Sequence, residues 1–299
     1  MRTLLLAITV SILLAGCSAR DTSAPASLPT GSSEQQIVVD GVTRDFRVFI
    51  PDDLPTSAPL VVMMHGGFGS AQQAEDAYGW DPAATAHGFV VVYPNGEDRA
   101  WNVGGGCCGK SGTKNVDDVA FISAVVASVE ASVSIDENKV FATGISNGGM
   151  MAYRLACDTS IFAAIGPDST TLLGECPDPD SVSVIHIHGL ADSNVPFDGS
   201  QGDGRVEIDG APVPEVISIF TTANGCDAPV DTVAGEVTTS VASCPEGRVV
   251  ELITIASAGH QWPGSTAKPV LEKTLGTDTP STALDATETI WAFFAAHPG

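Results

Sequence analysis

The chain has 299 residues, 43% of them hydrophobic, enough for one sizeable core and too apolar for a disordered polymer. Thirteen Lys and Arg stand against 36 Asp and Glu, a net charge of −23. Such a surface repels phosphate backbones and anionic headgroups, which excludes nucleic-acid binding as a main function.

Arg2 precedes a short apolar run from Leu4 to Leu14, followed by Ala15-Gly16-Cys17. The run is too short to span a bilayer and fits a signal peptide over residues 1–16. The small pair before Cys17 resembles a bacterial lipobox, so Cys17 is the expected lipidation site and its lipid the expected membrane contact. An ordinary secretory signal cut further on is the alternative, and both predict export. Residues 17–35, rich in Ser, Thr, Ala and Pro, read as a flexible tether, and residues 36–299 as one domain.

Two β-branched runs, Gln36 to Val39 and Thr43 to Ile50, flank Asp40-Gly41 and predict a hairpin. Pro59 to Met64 and Phe89 to Tyr93 are continuous apolar runs, as expected of strands buried on both faces. A polar helix is expected between them, over about residues 71–87, and a glycine-rich irregular stretch over 94–115. Apolar residues at helical spacing from Val116 to Val133 predict a helix. Lys139 to Thr143 reads as a strand entering a Gly-rich turn and a further helix through Leu155. Ala163 to Gly166, Val182 to Ile187 and Arg248 to Ile255 read as strands, residues 214–223 and Ser281 to His297 as helices. Strands alternating with helices predict an α/β fold with a mostly parallel sheet covered on both faces.

The strand before Gly144-Ile145-Ser146-Asn147-Gly148-Gly149 and the helix after it give this motif its meaning. A nucleophilic serine on a sharp strand-to-helix turn needs small neighbours, and Gly144 and Gly148 supply them. Its hydroxyl needs a general base, and the base an orienting acid, in the chain order Ser, Asp, His. Only His260 and His297 lie beyond residue 188. His260, in the loop after a strand, is the expected base, whereas His297 sits in the final helix. Asp192, after the strand ending at His188, is the expected acid, with Asp198 and Asp203 in reserve. His186 and His188 alternate along that strand and read as core residues with satisfied nitrogens. Backbone N–H groups of Asn147 and Gly67, or of Phe68 in place of Gly67, are expected to form an oxyanion hole, the second donor coming from the His65-Gly66-Gly67-Phe68-Gly69 loop. Trp101 and Trp262 lie in loops expected near the site. They are candidate substrate-binding walls, with loop packing as the other reading.

Six cysteines remain after Cys17, an even set that suits an oxidising compartment. Local loop closure favours Cys157–Cys176 and Cys226–Cys244, which leaves Cys107 and Cys108 as a vicinal disulfide or as free thiols. The spacing suits no metal site.

These stretches, with Trp101-Asn102, Cys107-Cys108-Gly109, Val116-Asp117-Asp118-Val119, Tyr153 to Cys157, His188 to Asp192 and Gly259 to Gly264, stand in an order that resembles one group of esterases. That group comprises polyhydroxybutyrate depolymerase-like and feruloyl-esterase-like proteins, lipoprotein members among them, and the resemblance covers about residues 36–297. It implies the α/β-hydrolase fold, a Ser146–Asp192–His260 triad, no cofactor, and the two disulfides favoured above. Polymer depolymerases often carry a separate substrate-binding domain, and as none is read after Gly299 a crystalline polyester is the less expected substrate. The expected function is that of a secreted serine carboxylic-ester hydrolase acting on feruloyl or acetyl-type esters or on short polyhydroxyalkanoate-like polyesters. A non-catalytic binding lipoprotein on the same scaffold and a peptidase of the same fold are the alternatives.

Overall fold

The computed structural model describes residues 28–299, so the expected signal segment, Cys17 and the first part of the expected tether lie outside the described residues. Ten strands form one sheet: β1 (Gly31–Val39), β2 (Val42–Ile50), β3 (Ala58–Met64), β4 (Val90–Pro94), β5 (Ile135–Ile145), β6 (Ala164–Asp168), β7 (Ser183–Gly189), β8 (Val230–Ala234), β9 (Val237–Ser243) and β10 (Val249–Ile255). Their spatial order is β1-β2-β4-β3-β5-β6-β7-β10-β9-β8. The six central strands, from β4 across to β10, run parallel. Antiparallel hairpins extend both edges.

Eight helices accompany the sheet: α1 (Ala71–Ala77), α2 (Trp80–His87), α3 (Gly109–Thr113), α4 (Asp118–Glu130), α5 (Asn147–Asp158), α6 (Val213–Ala223), α7 (Pro269–Leu275) and α8 (Ala286–Ala296). Phe121 and Val125 of α4, Leu155 of α5 and Phe220 of α6 pack on one face, against Leu60, Val62 and Val184. Trp80 and Ala84 of α2 and Ile290 and Phe294 of α8 pack on the other, against Val61, Phe141 and Ile185. Both faces of the central strands are therefore covered, which explains why they read as unbroken apolar runs.

The hairpin turn has positive φ at Asp40 (50°) and Gly41 (80°), the geometry a two-residue connection requires. Several elements differ from the sequence reading: β5 begins at Ile135 rather than Lys139, α8 at Ala286 rather than Ser281, and α3 and α7 were not expected. Residues 31–35, expected as tether, are strand, and the edge is tied down by Arg47 Nη1 donating to Glu34 Oε1 at 2.6 Å and Ser32 Oγ to Glu75 Oε1 at 2.5 Å. A half-exposed edge strand needs no apolar face, so its Ser-rich composition gives no signal. The expected helix over 71–87 is two helices, broken at Gly79 with φ 74°. The β8–β9 hairpin was not anticipated because the β8 side chains, Val230 and Val233 among them, stay exposed, those of β9 are mostly half-buried, and no buried alternation marks either strand.

Candidate active site

Strand β5 ends at Ile145 and α5 begins at Asn147, leaving Ser146 alone in the turn at φ 55°, ψ −123°. Few non-glycine residues hold such a conformation, and here the surroundings over-determine it. Ser146 N–H donates to Asp168 O at 2.9 Å, and Thr170 Oγ1 donates to Ser146 O at 2.8 Å. A Cβ at Gly144 would lie 2.6 Å from Gly148 C and 2.7 Å from Met64 O; one at Gly148 would lie 2.6 Å from His65 O. No side chain fits at either position. The motif glycines are there for close approach of β3, β5 and α5.

Asn147 occupies the first helical position, where its N–H has no intrahelical acceptor. The Gly67 N–H also has no acceptor among the described residues, while the Phe68 N–H donates to Arg99 O at 2.9 Å. Of the two expected loop donors, Gly67 is therefore the one left open. Its loop is braced by His65, whose Nδ1–H donates to Gly66 O at 2.8 Å and whose Nε2 accepts from Gly96 N at 3.0 Å. Burial pushes the His65 pKa down to about 4, against the Gly66 hydrogen bond, so the ring is neutral and its tautomer fixed.

Asp192 and His260 come together across β7 and β10. His260 Nδ1 donates to Asp192 Oδ2 at 2.8 Å, and Asp192 Oδ1 accepts from Asn194 N at 2.9 Å and Val195 N at 2.8 Å. Burial alone would raise the Asp192 carboxyl; the His260 charge and hydrogen bond, His188 and the Val195 N–H outweigh it and hold it below the usual carboxylate range. The reserves are elsewhere: Asp198 is exposed and caps Ser200 N, and Asp203 is exposed. His186 and His188 are core residues with satisfied nitrogens. His188 Nε2 donates to Val195 O at 2.9 Å, His186 Nε2 to His188 Nδ1 at 3.0 Å, and Tyr153 OH to His186 Nδ1 at 2.7 Å. The carbonyl at one end sets the direction of every proton in this chain.

Ser146 and His260 line one open cavity, together with Gly67, Phe68, Tyr78, Cys108, Met150, Val206, Ile208 and Leu275. The wall is mostly apolar. Trp101 and Trp262 do not line it, which corrects their expected role. Trp101 is 0% exposed, donates from Nε1 to His65 O at 2.8 Å and exchanges backbone hydrogen bonds with the Asn147 amide. It is a brace between the loop that carries Gly67 and the turn that carries Asn147. Trp262 is 2% exposed, donates to Thr287 Oγ1 at 3.0 Å, packs against Tyr78 and Trp80, and lines a smaller adjoining recess rather than the Ser146 cavity. Aromatic residues in site loops serve packing here, a distinction that loop position alone does not make.

Two positions escaped the sequence reading. Asp278 clamps the His260 backbone, accepting from His260 N and donating from its own N to His260 O, each at 2.7 Å. A Cβ at Gly259 would lie 2.6 Å from Asp278 Cγ, so the glycine before the histidine admits the clamp. A lone Asp eighteen residues downstream carries no local signal. Asp118 accepts from Arg44 Nη2 at 2.7 Å, Asn102 N at 2.8 Å and Ser111 Oγ at 2.8 Å, fully buried. It anchors the loop that carries Trp101, and a carboxylate opening an otherwise apolar helix was its available signal.

Disulfides join Cys157–Cys176 and Cys226–Cys244 as local closure favoured, and Cys107–Cys108 form the vicinal pair rather than free thiols.

Comparison with known proteins agrees with this architecture. Residues 47–244 match the family model described as Esterase PHB depolymerase. The chain is 30% identical over 263 residues to the esterase NocK of Nocardia uniformis subsp. tsuyamanensis, covering 79% of this chain and 75% of that one. It is 28% identical over 232 residues to feruloyl esterase C of Emericella nidulans, covering 72% and 77%. Among solved structures, the acetyl xylan esterase from Aspergillus awamori superimposes with a TM-score of 0.59 at 17% identity, covering 82% of this chain and 99% of that one, a likeness of fold.

Proposed function

The chain belongs to the PHB-depolymerase esterase family and is a carboxylic ester hydrolase, and from that premise we propose that Ser146, Asp192 and His260 are its catalytic triad. The observation that carries this reading is the buried Asp192–His260 hydrogen bond beside a cavity that Ser146 shares. Ser146 Oγ attacks the ester carbonyl while His260 Nε2 takes its proton. Asp192, held ionised, keeps Nδ1 protonated and balances the imidazolium. The Asn147 and Gly67 N–H groups receive the oxyanion, aided by the positive N-terminal end of α5. The alcohol leaves with the proton returned by His260, and water hydrolyses the acyl-enzyme by the same route in reverse.

The apolar wall suits aromatic acyl groups of the feruloyl kind and short hydroxyalkanoate chains, with acetyl esters small enough for either. Export fits the oxidised cysteines, and Cys17 is the residue that would carry the lipid anchor. Kinetics of Ser146→Ala on 4-nitrophenyl acetate, methyl ferulate, acetylated xylan and hydroxybutyrate oligomers tests the reading. The variant loses turnover by several orders of magnitude on every ester the wild type accepts, with the fold intact. Wild-type turnover by the variant would overturn the assignment.

A further inference from the structure

In a chain with 36 acidic residues against 13 basic ones, a guanidinium without a carboxylate partner is conspicuous. Six arginines lie among the described residues. Arg44, Arg47, Arg154 and Arg248 each pair with a carboxylate. Arg99 and Arg205 pair with none within 4 Å among those residues, and both stand at the loop that carries Gly67. Arg99 Nε donates to Gly69 O at 3.1 Å, and its own carbonyl accepts from Phe68 N. Arg205 lines the Ser146 cavity, with its Cζ 5.7 Å from the Phe68 ring centroid and its Nη2 donating to Lys273 O at 2.8 Å. Asp203 and Glu207 flank Arg205 in sequence, so a partner was close at hand. Instead a backbone carbonyl and an aromatic face hold the cation, which leaves its charge uncompensated at the rim of an apolar cavity. Such a charge is worth most to a ligand that brings the opposite one.

We propose that Arg205, with Arg99 adding to the local field, forms an anion subsite that selects esters carrying a carboxylate beyond the scissile bond. The proposal rests on Ser146 being the nucleophile of this cavity. The apolar wall holds the chain of the substrate, the oxyanion donors hold the reacting carbonyl, and the guanidinium holds the far carboxylate over Phe68.

The test compares charged and neutral esters of one shape. One pair places the charge on the acyl side, 4-nitrophenyl hydrogen glutarate against 4-nitrophenyl methyl glutarate. The other places it on the alcohol side, 3-acetoxybutanoate against 3-acetoxybutanamide. The ratio of kcat/KM for the charged over the neutral member is measured for wild type, Arg205→Gln and Arg205→Lys. At low ionic strength Arg205→Gln lowers that ratio about fivefold in at least one pair, the scale of a solvent-exposed charge contact. Arg205→Lys retains most of it, and 0.5 M NaCl narrows the gap between wild type and Arg205→Gln. A ratio unchanged by Arg205→Gln in both pairs, including an equal loss on charged and neutral members, would overturn the proposal. Failure of the underlying esterase reading shows separately, as neutral-ester turnover that survives Ser146→Ala.

Discussion

Asp118→Asn removes one charge from the least accessible arginine–carboxylate pair among the described residues, and its cost can be worked from the contacts. Asp118 is 1% exposed and Arg44 6% exposed, with the guanidinium also stacked on Phe121 at 3.9 Å. The substitution keeps the side-chain shape but strands the buried Arg44 charge, an error of about 3–5 kcal/mol. Each kcal/mol moves the Tm of a domain this size by about 2–4 °C, so Tm falls by roughly 6–20 °C. The damage also travels to the site. Asn102 N–H and Ser111 Oγ both bond Oδ2, so an amide that turns its oxygen to Arg44 presents NH2 to these two donors, the loop behind them loosens, and Trp101 no longer fixes the Asn147 amide. Thermal unfolding by circular dichroism gives the first number, and kcat on a neutral ester well below Tm gives the second. The double variant Arg44→Met/Asp118→Leu recovers only part of the Tm, because it removes the stranded charge yet still leaves two donors unsatisfied. A Tm within 2 °C of wild type for Asp118→Asn would refute the reasoning, since no buried charge could then have been stranded.

Asp192→Asn lowers kcat about a thousandfold or more, whereas Asp198→Asn stays within twofold; the reverse order in steady-state kinetics would move the acid to the reserve position. Trp262→Ala costs about 3–5 kcal/mol of stability by emptying a packed site. It slows aromatic and acetyl esters by the same factor, and a selective loss on the aromatic ester would return the indole to the substrate. Asp168 is fully buried, the nearby Ser169 hydroxyl donates to Gln261 O and leaves both carboxyl oxygens without a well-formed hydrogen bond among the described residues, and burial, opposed by Ser169 and aided by the Asp192 charge, pushes its pKa well above the ordinary value. The folded state therefore holds a proton that the unfolded chain releases near pH 4, so this group's contribution to stability declines as pH rises from there. Denaturant titrations of Asp168→Asn and wild type should show the variant gaining as pH goes from 4 to 8; a pH-independent difference would mean Asp168 is not protonated in the fold.

Much of this molecule could be read from its residues because its central strands and its Ser146 turn obey local rules. A strand buried on both faces must be apolar throughout, and a serine at φ 55° between packed backbones must have glycines beside it. The pairing of Asp192 with His260 was legible for a different reason, as both lie in loops after strands that the parallel sheet brings side by side. What escaped was fixed by long-range contact. Asp278 reaches the His260 backbone from a loop without periodicity, and the two tryptophans were placed by loop position, which says nothing about the direction an indole faces. The first half of β1, residues 31–35, was expected as tether because an edge strand half in water can be written in serine and glutamine.

The central claim is that Ser146 is the nucleophile and that His260, oriented by Asp192, activates it. Covalent labelling tests it most directly: the pure domain is treated with a fluorophosphonate, and the modified peptide is mapped by mass spectrometry. The account predicts one adduct per chain, on Ser146, formed at a rate that falls by orders of magnitude in His260→Ala and abolished in Ser146→Ala. An adduct on another serine, or rapid labelling of Ser146 without His260, would contradict it.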